Sequence, residues 1–261
     1  MTRETEDARD ERKRKFISTL KEKRCRDLID SLARRIKSYE EGTVTAEEVF
    51  KSASYVARES KEIETLFKKR PDVILAGIAM DENRYVTEIG ELSVKVRKGD
   101  VTVVFTDAIV NPASPDGAMT AGVAGAIKGA GGAEIEKEAL SRAPIARGNA
   151  VATGAGSLSN RYIVHAPTMD APGGTSAHDH VKDAVIAALK LAEELEIESI
   201  AIPGMGTGAG GVSPVDSARA IVEAIASHEA GSVSDITLID RTDEMVAAFT
   251  KTLEQYDEEH G

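Results

Sequence analysis

The sequence predicts an α/β fold in which helices cover a mixed, largely parallel sheet. From residue 81 to the end, short runs rich in β-branched residues alternate with amphipathic helical patterns, an alternation typical of parallel strands joined by helices. The 261-residue chain is also 41% hydrophobic, which is enough apolar side chain to build a buried core. We therefore expect one layered α/β domain and a separate N-terminal segment.

Residues 1–80 form that segment, which the sequence predicts to be a charged helical extension. Apolar side chains recur every three or four residues from Lys13 to Tyr39 and again from Thr45 to Phe67, and a capping-box pattern opens the second run. The two runs predict a helical hairpin of unassigned role. Their apolar sides could pack on the main domain or join two copies of the chain as a homo-oligomer.

Residues 81–261 form the predicted α/β domain. RYVTEI and ELSVKV, separated by Gly90, are expected to pair as strands. The elements predicted after them are, in order, strand 106–111, helix 121–140, strands 149–156 and 161–167, helix 178–196, strand 199–204, a helix from Pro214 to about His228, strand 235–240 and a C-terminal helix.

Charge and cysteine content exclude several classes of protein. Residues 1–80 hold 19 Lys and Arg against 16 Asp and Glu, or +3, so the overall charge of -11 leaves -14 for residues 81–261. A domain with that charge repels nucleic acid but can hold a small anion through backbone dipoles. The single cysteine, Cys25, fits a reducing compartment and provides no cysteine-rich metal site. Because no apolar stretch is long enough to span a bilayer, we expect no membrane contact. We also expect a cytoplasmic protein that holds no metal and no cofactor.

Two glycine-rich loops precede predicted helices and are typical of anion-binding sites. The first, residues 111–125, follows the apolar run DAIV, and the second, residues 204–214, contains five glycines within eight residues. Such glycine content is costly in backbone entropy and argues against a simple connection. Free amides in such loops and at helix N-termini bind phosphate. The pair predicts a ligand with two adjacent phosphates, such as a nucleoside diphosphate, or with a phosphate beside a polar group.

These motifs together resemble the macro domain family. The matching segments are GDVT (99–102), DAIVNPAS (107–114), AGVAGAIKGAGG (121–132) and IPGMGTGAGG (202–211), and the resemblance covers about residues 84–254. It implies a three-layer α/β/α sandwich that binds ADP-ribose, or an ADP-ribosylated molecule, in a cleft at the top of the sheet.

The resemblance also implies roles for individual residues. Asp100 would accept a hydrogen bond from the adenine amino group, beside the amide of Val101, although an Asp at this position is also typical of an ordinary turn. Gly122 and Val123 would present amides to the pyrophosphate and distal ribose. The other expected ligand-binding residues are Asn111, Ser114, Gly206, Thr207, Gly208, Ala209 and Gly210.

Several positions depart from the pattern of hydrolytic macro domains. Ser114 replaces a second Asn, and Thr120-Ala121 replaces two of three glycines. Gly210 stands where an aromatic residue lies near the distal ribose, and Ile239 corresponds roughly to an aromatic near adenine. These departures support binding better than turnover.

Three functions remain open. The protein could hydrolyse ADP-ribosyl groups or O-acetyl-ADP-ribose esters at the distal ribose, with Ser114, Asp116 and Thr120 as the nearby polar candidates for catalysis. It could be a non-catalytic reader of ADP-ribose. It could also be a Rossmann-type NAD-dependent oxidoreductase, since residues 206–211 match the dinucleotide fingerprint and Asp240 ends the next strand. His165 is interpreted as a hydrogen-bonded core residue.

Overall fold

The computed structural model describes residues 83–229 and 231–260. The strands are β1 (Asn83–Ile89), β2 (Leu92–Lys98), β3 (Ala108–Ala113), β4 (Val151–Gly154), β5 (Tyr162–Pro167), β6 (Ser199–Ile202) and β7 (Asp235–Asp240). They form one sheet in the order β1-β2-β7-β6-β3-β5-β4. The inner pairs are parallel, whereas β1 pairs antiparallel with β2 at one edge and β4 pairs antiparallel with β5 at the other.

Helices cover both faces of the sheet. They are α1 (Gly122–Gly131), α2 (Ala133–Ser141), α3 (His178–Glu194), α4 (Pro214–Ala226) and α5 (Asp243–His260), together with a 3-10 turn at Val101–Val103. Buried residues of α1 and α2 pack against one face of the sheet, and those of α3, α4 and α5 pack against the other. The three-layer α/β/α architecture expected from the sequence is therefore confirmed.

Strand alternation explains why each face is apolar. On β3, Val110 belongs to the cluster beneath α3, α4 and α5, whereas its neighbour Ile109 belongs to the cluster beneath α1. Successive side chains of a strand point to opposite faces, so a run such as AIV supplies both cores. Each fully buried large apolar side chain contributes roughly 1.5–3 kcal/mol through removal from water.

The helix predicted for residues 121–140 is in fact two helices. Gly132 separates α1 from α2 with φ of 116°, and its amide donates to the carbonyl of Lys128 at 2.9 Å. That φ lies in a region that L side chains rarely adopt, so the helical pattern continues in the sequence while the backbone turns. The helix predicted from Pro214 to about His228 ends slightly earlier, at Ala226, with Ser227 as its cap.

The β1–β2 hairpin has the predicted turn. Gly90 adopts φ of 60°, and Ile89 lies opposite Leu92. The predicted helical hairpin of residues 1–80, with its expected domain boundary and its role in oligomers, lies outside the described residues. Within the described part of the chain, no helix has the length and apolarity needed to cross a membrane.

Candidate functional site

The two glycine-rich loops leave the carboxyl ends of neighbouring strands. β3 and β6 pair in parallel, with Ile109 opposite Ala201. At their amino ends, Oδ2 of Asp107 accepts hydrogen bonds from the amides of Glu198 and Ser199 at 3.2 and 2.9 Å, which fixes their alignment. The loop after β3 leads to α1 on one face, and the loop after β6 leads to α4 on the other. Ligands of open α/β sheets bind in the crevice where such connections diverge.

The loop after β3 packs on α2. Gly117 closes a turn by donating its amide to the carbonyl of Ser114 at 2.9 Å, and it adopts φ of 77°. A Cβ at Gly117 would lie 2.8 Å from the carbonyl oxygen of Ala139, so only glycine fits. The amide of Ile145 donates to the carbonyl of Pro115 at 2.8 Å. The first half of this loop is therefore held by backbone contacts.

A carboxylate on α2 holds the second half of the same loop. Oε1 of Glu136 accepts a hydrogen bond from the amide of Met119 at 2.7 Å, and Oε2 accepts one from Nζ of Lys128 at 2.8 Å. These two bonds hold the pKa of Glu136 below its ordinary value, and the bond from Lys128 has the larger effect. The carboxylate is thus ionised at neutral pH and joins α1, α2 and the loop.

Helix α1 begins without a side-chain cap. The side chain of its N-cap residue, Ala121, has no polar atom, and the first hydrogen bond of the helix runs from the amide of Gly125 to the carbonyl of Ala121 at 2.9 Å. The amides of Gly122, Val123 and Ala124 therefore have no partner within the helix. Gly122 is exposed, with φ of 60° and no atom within 4 Å of an added Cβ. This helix end combines free amides with the positive end of the helix dipole.

The loop after β6 combines a buried base with an exposed tip. Both main-chain groups of Met205 bond to the hydroxyl of Ser217, at 3.1 and 2.8 Å, which fixes the base on α4. The amide of Val212 donates to the carbonyl of Gly206 at 3.0 Å and closes the loop. At the tip, Gly208 is exposed and an added Cβ would meet nothing within 4 Å.

Gly210 lies on the buried side of this loop. A Cβ there would be 2.7 Å from the carbonyl oxygen of Gly206 and 2.8 Å from Cβ of Ser176. The amide of Ser176 donates to the carbonyl of Gly210 at 2.8 Å. The position that the sequence comparison interprets as a missing aromatic is therefore filled from the segment that precedes α3.

Asp100 lies at the carboxyl end of β2 and caps the 3-10 turn. Its Oδ1 accepts hydrogen bonds from the amide and hydroxyl of Thr102 at 2.9 and 2.7 Å. Its Oδ2 lies 3.8 Å from Nη1 of the exposed Arg241, an ion pair too solvated to bind firmly. Asp100 thus forms the turn suspected from the sequence and keeps one oxygen for other partners. Val101 and Ile239 are both buried in the core beneath it.

Asn111 is completely buried. Its Nδ2 lies 3.0 Å from Nδ1 of His165, whose Nε2 lies 2.9 Å from Oγ1 of Thr153. Burial lowers the pKa of His165 to about 4, so the imidazole is neutral and His165 is a hydrogen-bonded core residue, as expected. The Asn111 side chain belongs to this core network and does not lie on the exposed surface of the crevice.

Comparisons with known proteins identify the family. A family model described as Macro domain matches residues 110–221. A macro domain-containing protein of Caldanaerobacter subterraneus is 32% identical over 170 residues, covering 63% of this chain and 97% of the relative. The chain belongs to the macro domain family. An uncharacterized Aquifex aeolicus protein is 47% identical over 162 residues, or 62% of this chain and 98% of the relative.

A solved structure agrees on the fold. A variant of the Oceanobacillus iheyensis macrodomain, solved with ADPR, matches with a TM-score of 0.59 at 21% identity and covers 67% of this chain and 98% of that one. Membership of the macro domain family argues against the Rossmann interpretation of residues 206–211. Asp240 also has a different role, since its Oδ1 accepts from Thr242 at 2.9 Å and its Oδ2 accepts from the amide of Gly204 at 3.3 Å.

The catalytic candidates of this macro domain lie on the loop after β3. Ser114 is half-buried, whereas Asp116 and Thr120 are exposed. Oδ1 of Asp116 accepts from the amide of Ala118 at 3.1 Å. Two hydrogen bonds hold the pKa of Asp116 below its ordinary value. The larger effect comes from the Ser114 hydroxyl and the smaller one from the Ala118 amide. An ionised carboxylate with such a low pKa is a weak general base near neutral pH.

Two residues of the site were not found from the sequence. Glu136 and Ser176 lie 17 and 34 positions from Met119 and Gly210, the residues whose main chain they contact, and neither belongs to a recognisable motif. Within residues 83–229 and 231–260, no cluster of three His, Cys, Asp or Glu side chains is arranged to hold a metal ion.

Proposed function

We propose that this macro domain binds ADP-ribose, or the ADP-ribosyl group of a larger molecule, with the diphosphate in the crevice between the two loops. The main support for the proposal is that the β3–α1 and β6–α4 connections leave neighbouring strands and lead to opposite faces of the sheet. This arrangement gathers the amides at the start of α1 and at the tip of the second loop on one edge of the sheet. The Oceanobacillus iheyensis variant solved with ADPR, which shares the fold, supports this choice of ligand.

The charge of the domain favours recognition by amides. Residues 81–261 carry a net charge of -14, and the two loop segments 114–123 and 204–213 contain no Lys or Arg. A diphosphate bound between them is held by main-chain N–H groups and by the dipole of α1. Affinity is then expected to depend on the position of the backbone more than on ionic strength.

Asp100 extends the proposed site toward a base. β2 is separated from β3 by β7 and β6, so the carboxyl ends of β2 and β3, which lead into Asp100 and into the loop before α1, are about 14 Å apart across the sheet, at a strand spacing of about 4.8 Å. An extended nucleotide covers a span of this order. Oδ2 of Asp100 is an acceptor suited to an exocyclic amino group, while Oδ1 remains bound to Thr102.

Hydrolysis at the distal ribose is a second candidate function. It is favoured by the hydroxyl of Ser114 and the ionised carboxylate of Asp116, which share the loop that leads to α1 and are able to position a water molecule. Incubation with mono-ADP-ribosylated protein and with O-acetyl-ADP-ribose tests it. Survival of both compounds would leave a non-catalytic reader.

Calorimetric titration of the full chain with ADP-ribose, AMP and NAD tests the binding proposal. We expect micromolar affinity for ADP-ribose, with AMP weaker and NAD not preferred. Gly208→Val should lower the affinity for ADP-ribose at least 100-fold, because its side chain would project from the exposed tip of the loop. The matched control is Gly129→Val, at an exposed position of α1 where a Cβ also meets nothing within 4 Å. Equal affinities of the two variants would refute the proposed site.

A further inference from the structure

Helix α2 carries a carboxylate that holds the main chain immediately before the free amides of α1. Glu136 accepts a hydrogen bond from the amide of Met119 at 2.7 Å. The side chain of Met119 is 1% exposed and packs in the core with Ile127 and Ile135. Met119 is therefore fixed at both its side chain and its amide, three residues before Gly122.

The charge of Glu136 is balanced locally. Its side chain is 20% exposed and bonds through Oε2 to Nζ of Lys128, at 2.8 Å. Without that ammonium group, a carboxylate next to an anion site would repel the ligand. With it, the pair keeps the acceptor strength of an ionised oxygen for the Met119 amide and adds little net charge to the crevice.

A fixed loop lowers the entropic cost of binding. Ordering one residue of backbone costs roughly 1–2 kcal/mol, and a site whose amides already point at the ligand avoids that cost when the ligand arrives. Residues 120–122 are all exposed and connect Met119 to α1, whose first hydrogen bond is accepted by the carbonyl of Ala121. Their direction depends on where Met119 is held.

We propose that Glu136 is a positioning residue for diphosphate binding, which acts by holding the amide of Met119 so that the amides of Gly122 and Val123 face the crevice before ligand binds. The inference rests on the proposed function, because it assigns the diphosphate to the start of α1. It predicts that removing the acceptor weakens binding without removing any group that touches the ligand.

A second carboxylate of α2 provides the matched control. Glu138 accepts a hydrogen bond from Nη2 of Arg142 at 2.6 Å and another from the amide of Gly154 at 3.0 Å. It therefore joins a cation and a main-chain amide, as Glu136 does. Its amide partner ends β4, at the far edge of the sheet order from β2.

The experiment compares Glu136→Ala, Glu136→Gln and Glu138→Ala in the full chain. Calorimetry with ADP-ribose should show at least a tenfold loss of affinity for Glu136→Ala. Glu136→Gln, which keeps an acceptor for Met119, should stay within threefold of the wild type, and Glu138→Ala within twofold. Amide hydrogen exchange without ligand should be faster at residues 119–123 in Glu136→Ala and unchanged there in Glu138→Ala.

Two outcomes would overturn the inference. One is equal loss of affinity in Glu136→Ala and Glu138→Ala, which would indicate general destabilisation. The other is unchanged exchange at residues 119–123 in Glu136→Ala. If the wild type itself does not bind ADP-ribose, the proposed function fails, and the exchange measurement still decides whether Glu136 orders the loop. If Glu136→Ala does not fold, Glu136→Met preserves the side-chain length without the acceptor and replaces it.

Discussion

The domain should lose stability between pH 7 and pH 5 because His165 is buried in its neutral form. Burial between β3 and β4 lowers the pKa of His165 from 6.5 to about 4, opposed in part by the negative charge of Glu138 and assisted by the positive charge of Arg142. Between these two pH values the unfolded chain binds a proton at His165 and the folded domain does not. Acid therefore favours the unfolded state in this window.

The size of the effect follows from the shift in pKa. The difference between a pKa of 6.5 and one of about 4 corresponds to a change of about 3 kcal/mol in the free energy of unfolding between the limits of high and low pH. Of this, about 2 kcal/mol is lost between pH 7 and pH 5, since the folded imidazole remains neutral until the pH approaches 4. The stability associated with His165 is complete above pH 6.5 and reaches its lower limit below pH 4.

Urea unfolding followed by circular dichroism at pH 7 and pH 5 measures this loss. His165→Gln removes the titrating group, so the variant should lose about 2 kcal/mol less than the wild type over this interval. Thr153→Val keeps the imidazole but removes its partner at Nε2, and it should lose as much as the wild type. If His165→Gln and the wild type lose the same free energy, His165 is not buried in its neutral form and the reasoning is wrong.

Two further predictions concern the proposed ligand site. Gly210→Ala should lower the free energy of unfolding by about 1–3 kcal/mol, measured by urea titration, because the added Cβ would be 2.7 Å from the carbonyl oxygen of Gly206 and 2.8 Å from Cβ of Ser176; a variant as stable as the wild type would contradict the packing. Asp100→Ala should weaken ADP-ribose binding by about 1–3 kcal/mol through loss of an acceptor, measured by calorimetry, and unchanged affinity would remove the adenine assignment.

Local patterns were enough to predict most elements of the fold. The period-two runs and the glycine at position 90 indicated the hairpin, the apolar periodicity indicated α3 and α4 close to their observed bounds, and α5 was expected only as a C-terminal helix without bounds. The interruption at Gly132 was missed because helical periodicity continues across it, and periodicity does not report a change in φ. Glycine is common within the same helical run, so its presence alone did not indicate a turn.

The local geometry of the candidate site was predicted where it depends on residues close together in the sequence. Each of the two loops, like the turn at Asp100, is a continuous stretch of the sequence. The glycines of the loops and the carboxylate of the turn can therefore be recognised from the sequence alone. The sequence did not indicate that Asn111 faces the same side of the sheet as Ile109 and bonds to His165 in the neighbouring strand, and its expected role in ligand binding stays a prediction. The contact between Asn111 and His165 depends on which strands become neighbours. Glu136 and Ser176 were missed for the same reason, because their contacts exist only after the sheet has assembled.

The short interruption at Gly132 determines whether α2 can reach the crevice at all. In an uninterrupted helix, residues 122 and 136 would be separated by roughly 20 Å along the axis, at about 1.5 Å per residue. The turn of the backbone at Gly132 brings α2 beside α1 and the loop before it, so that Glu136 bonds both to Lys128 in the last turn of α1 and to Met119 in the loop. A substitution that straightened this region would lengthen the helix and, by separating those partners, release the chain segment that leads into it.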